Sequence, residues 1–151
     1  MEVLKLNAKY KSILISFVLN IVCSITMSII NINLGLIVML LGIIIIPIMI
    51  NMISICFSKT KYTISLIFIM SIFNLIYYVV SAKSIMHNPV FYDIASKYAY
   101  EKDGFYTSMN TNLLSLSQLT FLFLLYFVLS YLLAKLFTKR GSKDVKNRSY
   151  L

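Results

Sequence analysis

The chain has 151 residues, 60% hydrophobic and 13% charged, with 14 Lys and Arg against five Asp and Glu and a mean hydropathy of +0.86. A soluble domain of this length cannot bury that much apolar surface, whereas a bilayer accepts it, so the composition excludes an ordinary globular domain and predicts an all-α integral membrane protein. The formal charge of +9 raises nucleic-acid binding, but the basic residues flank apolar runs with no folded domain to present them, and no nucleic acid is expected.

Lys5, Lys9 and Lys11 precede the first apolar run. A cleaved secretory signal is not expected, because the run is about 20 residues long where a signal core has about 7–15, and no small-x-small site follows it. Bulky Val22 beside Cys23 does not suit a lipoprotein box. The first span is placed at about 12–31. Within it Ser12, Ser16, Asn20, Ser24 and Ser28 recur at intervals of four, an inclined ridge of small residues suited to a close, crossed neighbour. The expected neighbour is the second helix or a partner subunit, with Asn20 as the central polar contact.

Between Lys11 and Lys59 lie 47 residues without a carboxylate or amine. As one helix they would run roughly 70 Å, more than twice the hydrocarbon thickness, so they hold two spans. The break falls at Asn31-Ile32-Asn33, ahead of Gly35, and the second span covers about 34–57. Gly35 and Gly42 are places for a close neighbour, and Pro47 is expected to bend the helix. Asn51 falls near the depth of Asn20, which predicts a direct hydrogen bond between them.

A third span, about 62–82, carries Ser71, Asn74, Tyr78 and Ser81 on one face. The loop 83–112 follows. Asn88 as N-cap, Pro89 at the first helical position and Gly104 past the end predict an amphipathic helix over about 89–103. Phe91, Ile94, Ala95, Tyr98 and Ala99 share its apolar face, so the helix is expected to lie in the outer membrane interface with Tyr92, Tyr98, Tyr100 and Tyr106 near headgroups; the alternative is a docking surface, with Phe91, Ile94, Tyr98 and Tyr106 as the candidate interaction residues. The fourth span, about 113–137, is opened by Asn110-Thr111-Asn112 and carries Gln118 and a packing or lipid-contact stripe of Phe123, Phe127 and Tyr131. Residues 138–151 read as a basic, disordered tail that anchors to anionic lipids. The whole is one four-transmembrane-helix bundle (1–137) with an amphipathic outer-loop helix and a tail.

Lysine and arginine give the orientation. With both termini on one side, Lys5, Lys9, Lys11, Lys59, Lys61, Lys135, Lys139, Arg140, Lys143, Lys146 and Arg148 gather there. Only Lys83, Lys97 and Lys102 lie opposite, among Asp93, Glu101 and Asp103. Both termini are therefore expected in the cytoplasm. The abundance of Ile, Asn and Lys over Gly and Ala is the bias of an AT-rich coding sequence, which suggests a bacterial cell membrane.

The spans contain no Asp, Glu, Arg or His, and their one Lys, Lys135, lies in the last turn of the fourth, at its terminal end. Ion-coupled transport and most hydrolytic chemistry need such groups. Cys56 and the lone His87 fall on opposite sides, which argues against a cysteine peptidase dyad, and a single histidine is a poor metal site. The two cysteines differ in depth by roughly 15 Å, too far for a disulfide. No catalytic residue, cofactor or metal is expected, and the protein is read as a non-enzyme. Ser16, Asn20, Ser24, Asn51, Asn74 and Gln118 remain as helix-packing contacts or the lining of a polar cavity. The expected partners are the lipid bilayer and a membrane protein or a second copy. The expected function is an accessory subunit or an immunity-like interaction protein, with a small channel or permease component as the alternative. No family motif is present; only the general architecture resembles small four-span proteins of Gram-positive bacteria with such roles.

Overall fold

The computed structural model describes residues 7–148 apart from 60, 62, 98, 103, 104 and 109. In chain order the elements are α1 (Ala8–Ile30), a 3₁₀ turn (Asn31–Leu34), α2 (Leu36–Ser58), α3 (Ile64–Met86), α4 (Pro89–Lys97), β1 (Tyr100–Lys102), β2 (Phe105–Thr107) and α5 (Leu116–Arg148). Four stretches are long and apolar enough to cross a membrane: Ala8–Ile30, Ile37–Ser58, Ile64–Met86 and Leu116–Phe137. Each has the roughly 20 residues that a hydrocarbon core of about 30 Å requires. The fold is an all-α, four-helix membrane bundle.

Local chemistry sets the helix ends. Asn7 Oδ1 accepts the Lys9 N–H at 3.2 Å, so α1 starts before Lys9 and Lys11 instead of after them. Charges mark where a span leaves the apolar layer, but they do not stop a helix. For the same reason α3 runs past residue 82 to Met86, carrying Lys83 in its last turn. Thr63 Oγ1 caps the start of α3 by accepting the Leu66 N–H at 3.2 Å. The turn from α1 into α2 ends on Gly35 at φ 92°, a left-handed value that glycine takes without steric cost.

The helices alternate in direction. Ser16 meets Asn51 and Met27 lies over Gly42, so α1 and α2 are antiparallel. Asn20 meets Asn74 and Ser28 meets Ser84, so α1 and α3 run parallel. Asn51 meets Ser130 and Ile43 meets Tyr126, which makes α2 and α5 parallel as well. The α2–α3 pair forms the middle of the bundle, with α1 packed on one side of it and α5 on the other. The α1 ridge thus docks on α3 as well as α2, where the sequence pointed to α2 or a partner subunit.

Two apolar clusters fill the interior. One, towards the 87–115 loop, includes Met39, Ile43, Tyr78, Phe91 and Tyr126; the other, towards the termini, includes Met52, Ile55, Leu66, Met70 and Ala134. Pro47, at the midpoint of α2, has no N–H to give the carbonyl of Ile43 one turn back. Tyr126 Oη donates to that carbonyl at 2.8 Å, and the Tyr77 hydroxyl reaches the Gly42 carbonyl at 3.4 Å. Side chains from α5 and α3 thereby supply hydrogen bonds where water cannot.

The loop and the C-terminus differ from the sequence expectation. The amphipathic helix stops at Lys97 instead of about 103, and the chain enters an antiparallel hairpin pairing Tyr100 with Thr107 and Lys102 with Phe105. Aromatic and β-branched residues favour strands, and Asp-Gly between two such runs is a hairpin signal. That dipeptide occurs here as Asp103-Gly104, outside the described residues. At the other end, α5 continues through the basic segment to Arg148 where a disordered tail from 138 was expected. Once a long span is helical, each added residue costs no new nucleation, and Gly141 weakens the extension by only about 1 kcal/mol.

Candidate functional site: a buried polar layer and a cleft on the loop side

Between the two apolar clusters lies a layer of carboxamides and hydroxyls drawn from all four spans. Asn51 Nδ2 donates to Ser130 Oγ at 2.9 Å, and its Oδ1 accepts from Ser16 Oγ at 3.3 Å. Asn20 Nδ2 reaches the Ser16 carbonyl at 2.9 Å, Ser16 Oγ at 3.4 Å and Asn74 Oδ1 at 3.3 Å. All five residues are buried. The direct Asn20–Asn51 bond expected from sequence is replaced by a relay through Ser16. Because α1 begins at Ala8, Asn20 stands further from the terminal end of the bundle and comes level with Asn74 across the α1–α3 interface.

The other ridge residues extend this seam. Ser24 Oγ bonds its own helix at Ile21 O (2.8 Å), while Ser84 Oγ reaches across to Ser28 O at 3.0 Å. Ser54 and Ser71 likewise return their hydroxyls to carbonyls one turn back, which keeps them neutral guests in an apolar interior. Asn20 Oδ1, Asn74 Nδ2, Ser12 Oγ and Ser81 Oγ are buried without a hydrogen-bond partner. The layer therefore joins the helices but is not fully satisfied. Apolar clusters flank the layer, while Ser12 and Ser54 on the terminal side and Ser24 and Ser81 on the loop side carry buried hydroxyls beyond it.

Gln118 stands apart from this layer, near the loop end. Its Nε2 donates to Tyr78 Oη at 2.9 Å, and Tyr78 Oη in turn donates to the Leu113 carbonyl at 2.5 Å. This pair borders a cleft of about 200 Å³ between α2 and α5, walled by Met39, Leu40, Ile44 and Phe121 and closed above by Phe91.

The candidate loop residues do not form one exposed face. Phe91 is 0% exposed and belongs to the interior, Ala95 is buried beside it, and Ile94 is half-buried against the same cluster. Phe91 and Ile94 thus anchor α4 to the bundle, where the membrane interface or a docking surface had been expected. Asn88 Oδ1 caps α4 through the Val90 N–H at 3.0 Å, which directs Phe91 inward. Tyr98 lies outside the described residues, and Tyr106 falls in β2. The Phe123 and Phe127 stripe packs edge-on against Phe68 at centroid distances of 5.4 and 6.2 Å.

Sequence reasoning missed Ser130 and Tyr126 as hydrogen-bonding partners, and placed Tyr78 on a polar face without finding its partner Gln118. Tyrosines inside an apolar run were a usable signal, since a buried phenol seeks an acceptor. Ser130 carried none, because a lone serine in a span ordinarily bonds its own helix. Among the described residues no three His, Cys, Asp or Glu side chains gather, and Cys23 and Cys56 are free thiols.

These features define a four-span membrane bundle stitched by a central polar girdle, with a small lateral cleft under a capping helix. No family model, curated protein or solved structure matches the chain.

Proposed function

We propose that the protein is a non-enzymatic interaction protein of a bacterial cell membrane, an accessory subunit or immunity-like protector that acts by binding another membrane protein. The observation that carries this reading is the disposition of polar groups. Asn20, Asn51 and Asn74 turn inward and join the helices to one another, and the lipid-facing surface presents residues such as Ile25, Ile29, Val128 and Leu132. Such a molecule offers a partner its apolar helix faces and its loop. The concentration of Lys and Arg at the terminal end supports cytoplasmic termini, with the α4 and hairpin segment on the opposite side.

Affinity purification in a mild detergent after cross-linking, with identification by mass spectrometry, tests the reading. One membrane partner at stoichiometric amount, together with no solute flux from the purified protein in liposomes, is the expected result. Flux without a partner would overturn it in favour of a channel or permease component. Reporter fusions at each terminus and after residue 108 test the orientation, and an active periplasmic-type reporter at either terminus would reverse it.

A further inference from the structure

The cleft on the loop side lies between helices that are tied together further in. Tyr126 on the Ile43 carbonyl and Asn51 on Ser130 hold α5 to α2. Towards the loop the gap is walled by Met39, Leu40, Ile44 and Leu122, roofed by Phe91, and given one polar edge by Tyr78 and Gln118. Leu40 and Phe121 at its rim are 45% and 62% exposed on the membrane-facing surface, so the medium at its mouth is bilayer hydrocarbon.

Size and chemistry select the occupant. A volume of about 200 Å³ is too small for a helix, whose diameter with side chains is about 10–12 Å. An extended peptide would bring a row of backbone N–H and C=O groups into a slot with a single polar edge, each costly when unpaired. Water has too few partners along the apolar wall. An alkyl chain fits the wall, and the polar edge suits one carbonyl, because a carboxamide nitrogen has two protons and Gln118 gives one to Tyr78.

The geometry points to a lipid site: the cleft seats one acyl chain of an ester-linked phospholipid from the leaflet on the loop side. Its methylenes lie along Met39, Ile44 and Leu122, and its ester carbonyl accepts from Gln118 Nε2. Bulk lipid is as apolar as the wall, so the selectivity comes from that hydrogen bond and amounts to about fivefold over a lipid without the carbonyl.

The chain contains no tryptophan, so a single introduced one reports cleanly. Phe121→Trp places it at the mouth; Leu41→Trp, at similar depth on α2 and exposed but not lining the cleft, is the control. Each full-length variant goes into vesicles of ether-linked phosphatidylcholine, titrated with phosphatidylcholine brominated on its acyl chains and either ester- or ether-linked. Because the ether-linked host competes for the site, a fivefold preference should bring the Phe121→Trp signal to half-quenching at a mole fraction about threefold lower for the ester-linked quencher than for the ether-linked one. The Leu41→Trp signal should respond to both alike, and Gln118→Leu should abolish the difference at position 121. Equal response of the Phe121→Trp signal to the two quenchers, with Gln118 present, overturns the site whether or not the Gln118→Leu protein folds.

Discussion

Replacing Tyr126 with Phe removes one hydroxyl and leaves the ring in place, so it isolates the hydrogen bond to the Ile43 carbonyl. That carbonyl has no helical donor, because the residue one turn ahead is Pro47. An orphaned buried carbonyl costs about 1–3 kcal/mol, and interhelical bonds measured in membranes average about 0.6 with a maximum near 1.7. Tyr126 is fully buried and its bond is short, so Tyr126→Phe should destabilise the bundle by about 1.5 kcal/mol. In a Pro47→Ala background the backbone N–H restored by the substitution takes over the Ile43 carbonyl, and the same change should cost only about 0.5 kcal/mol. The coupling of about 1 kcal/mol is the signature of the mechanism, independent of what Pro47→Ala does to stability by itself. Reversible unfolding of the four proteins in mixed detergent micelles, followed by helicity, measures it. An equal cost of Tyr126→Phe in both backgrounds would refute the idea that the tyrosine substitutes for the missing proline donor.

A second double-mutant cycle separates the direct contacts of the polar layer from the relayed one. Asn51→Leu with Ser130→Ala should show a coupling of about 0.6 kcal/mol, and Asn51→Leu with Asn20→Leu a smaller one; the reverse order would restore the direct Asn20–Asn51 clamp. At Gly42 an added Cβ would lie 2.8 Å from Met27 Cε, the far end of a flexible side chain. Gly42→Ala should therefore be nearly neutral, whereas Gly42→Leu should cost about 1–3 kcal/mol and be relieved by Met27→Ala. Unrelieved destabilisation in the Gly42→Leu and Met27→Ala pair would mean that the strain lies elsewhere. Phe91→Ala should cost about 3 kcal/mol by emptying the site beneath α4, and limited proteolysis in detergent should then cut near residues 88–99 first. Unchanged protection there would show that α4 is held by something other than Phe91.

The spans illustrate what composition alone can decide. A hydrocarbon layer leaves a backbone only the helix, so an apolar run of about 20 residues has one structural outcome, and the four spans follow from the spacing of Lys59, Lys83 and the polar breaks. Their ends were less legible: Asn7 and Thr63 cap helices at points that the charges do not mark. The loop went wrong for a related reason. Pro89 and Asn88 correctly announced a helix, but Gly104 reads equally as a helix terminator and as the second residue of an Asp-Gly hairpin, and the strands at 100–107 belong with the latter.

Membership of a buried face was visible in the four-residue ladder from Ser12, since polar side chains avoid lipid whatever the partner. Which groups bond was not visible, because depth depends on where each helix starts, which set Asn20 one turn away from Asn51, and the azimuth between helices is not in the sequence at all. Asn51 has neighbours on two sides, and only the packing of α1 and α5 against the α2–α3 pair gives it Ser16 and Ser130 while passing Asn20 to Asn74. The same packing assigns Tyr126 to the carbonyl left by Pro47 and leaves the cleft beside Gln118. Sequence by itself thus determined that the chain is a four-span bundle and which of its faces turn inward. The tertiary structure decided who meets whom, because the rotation of one helix about another depends on the summed contacts of the whole bundle.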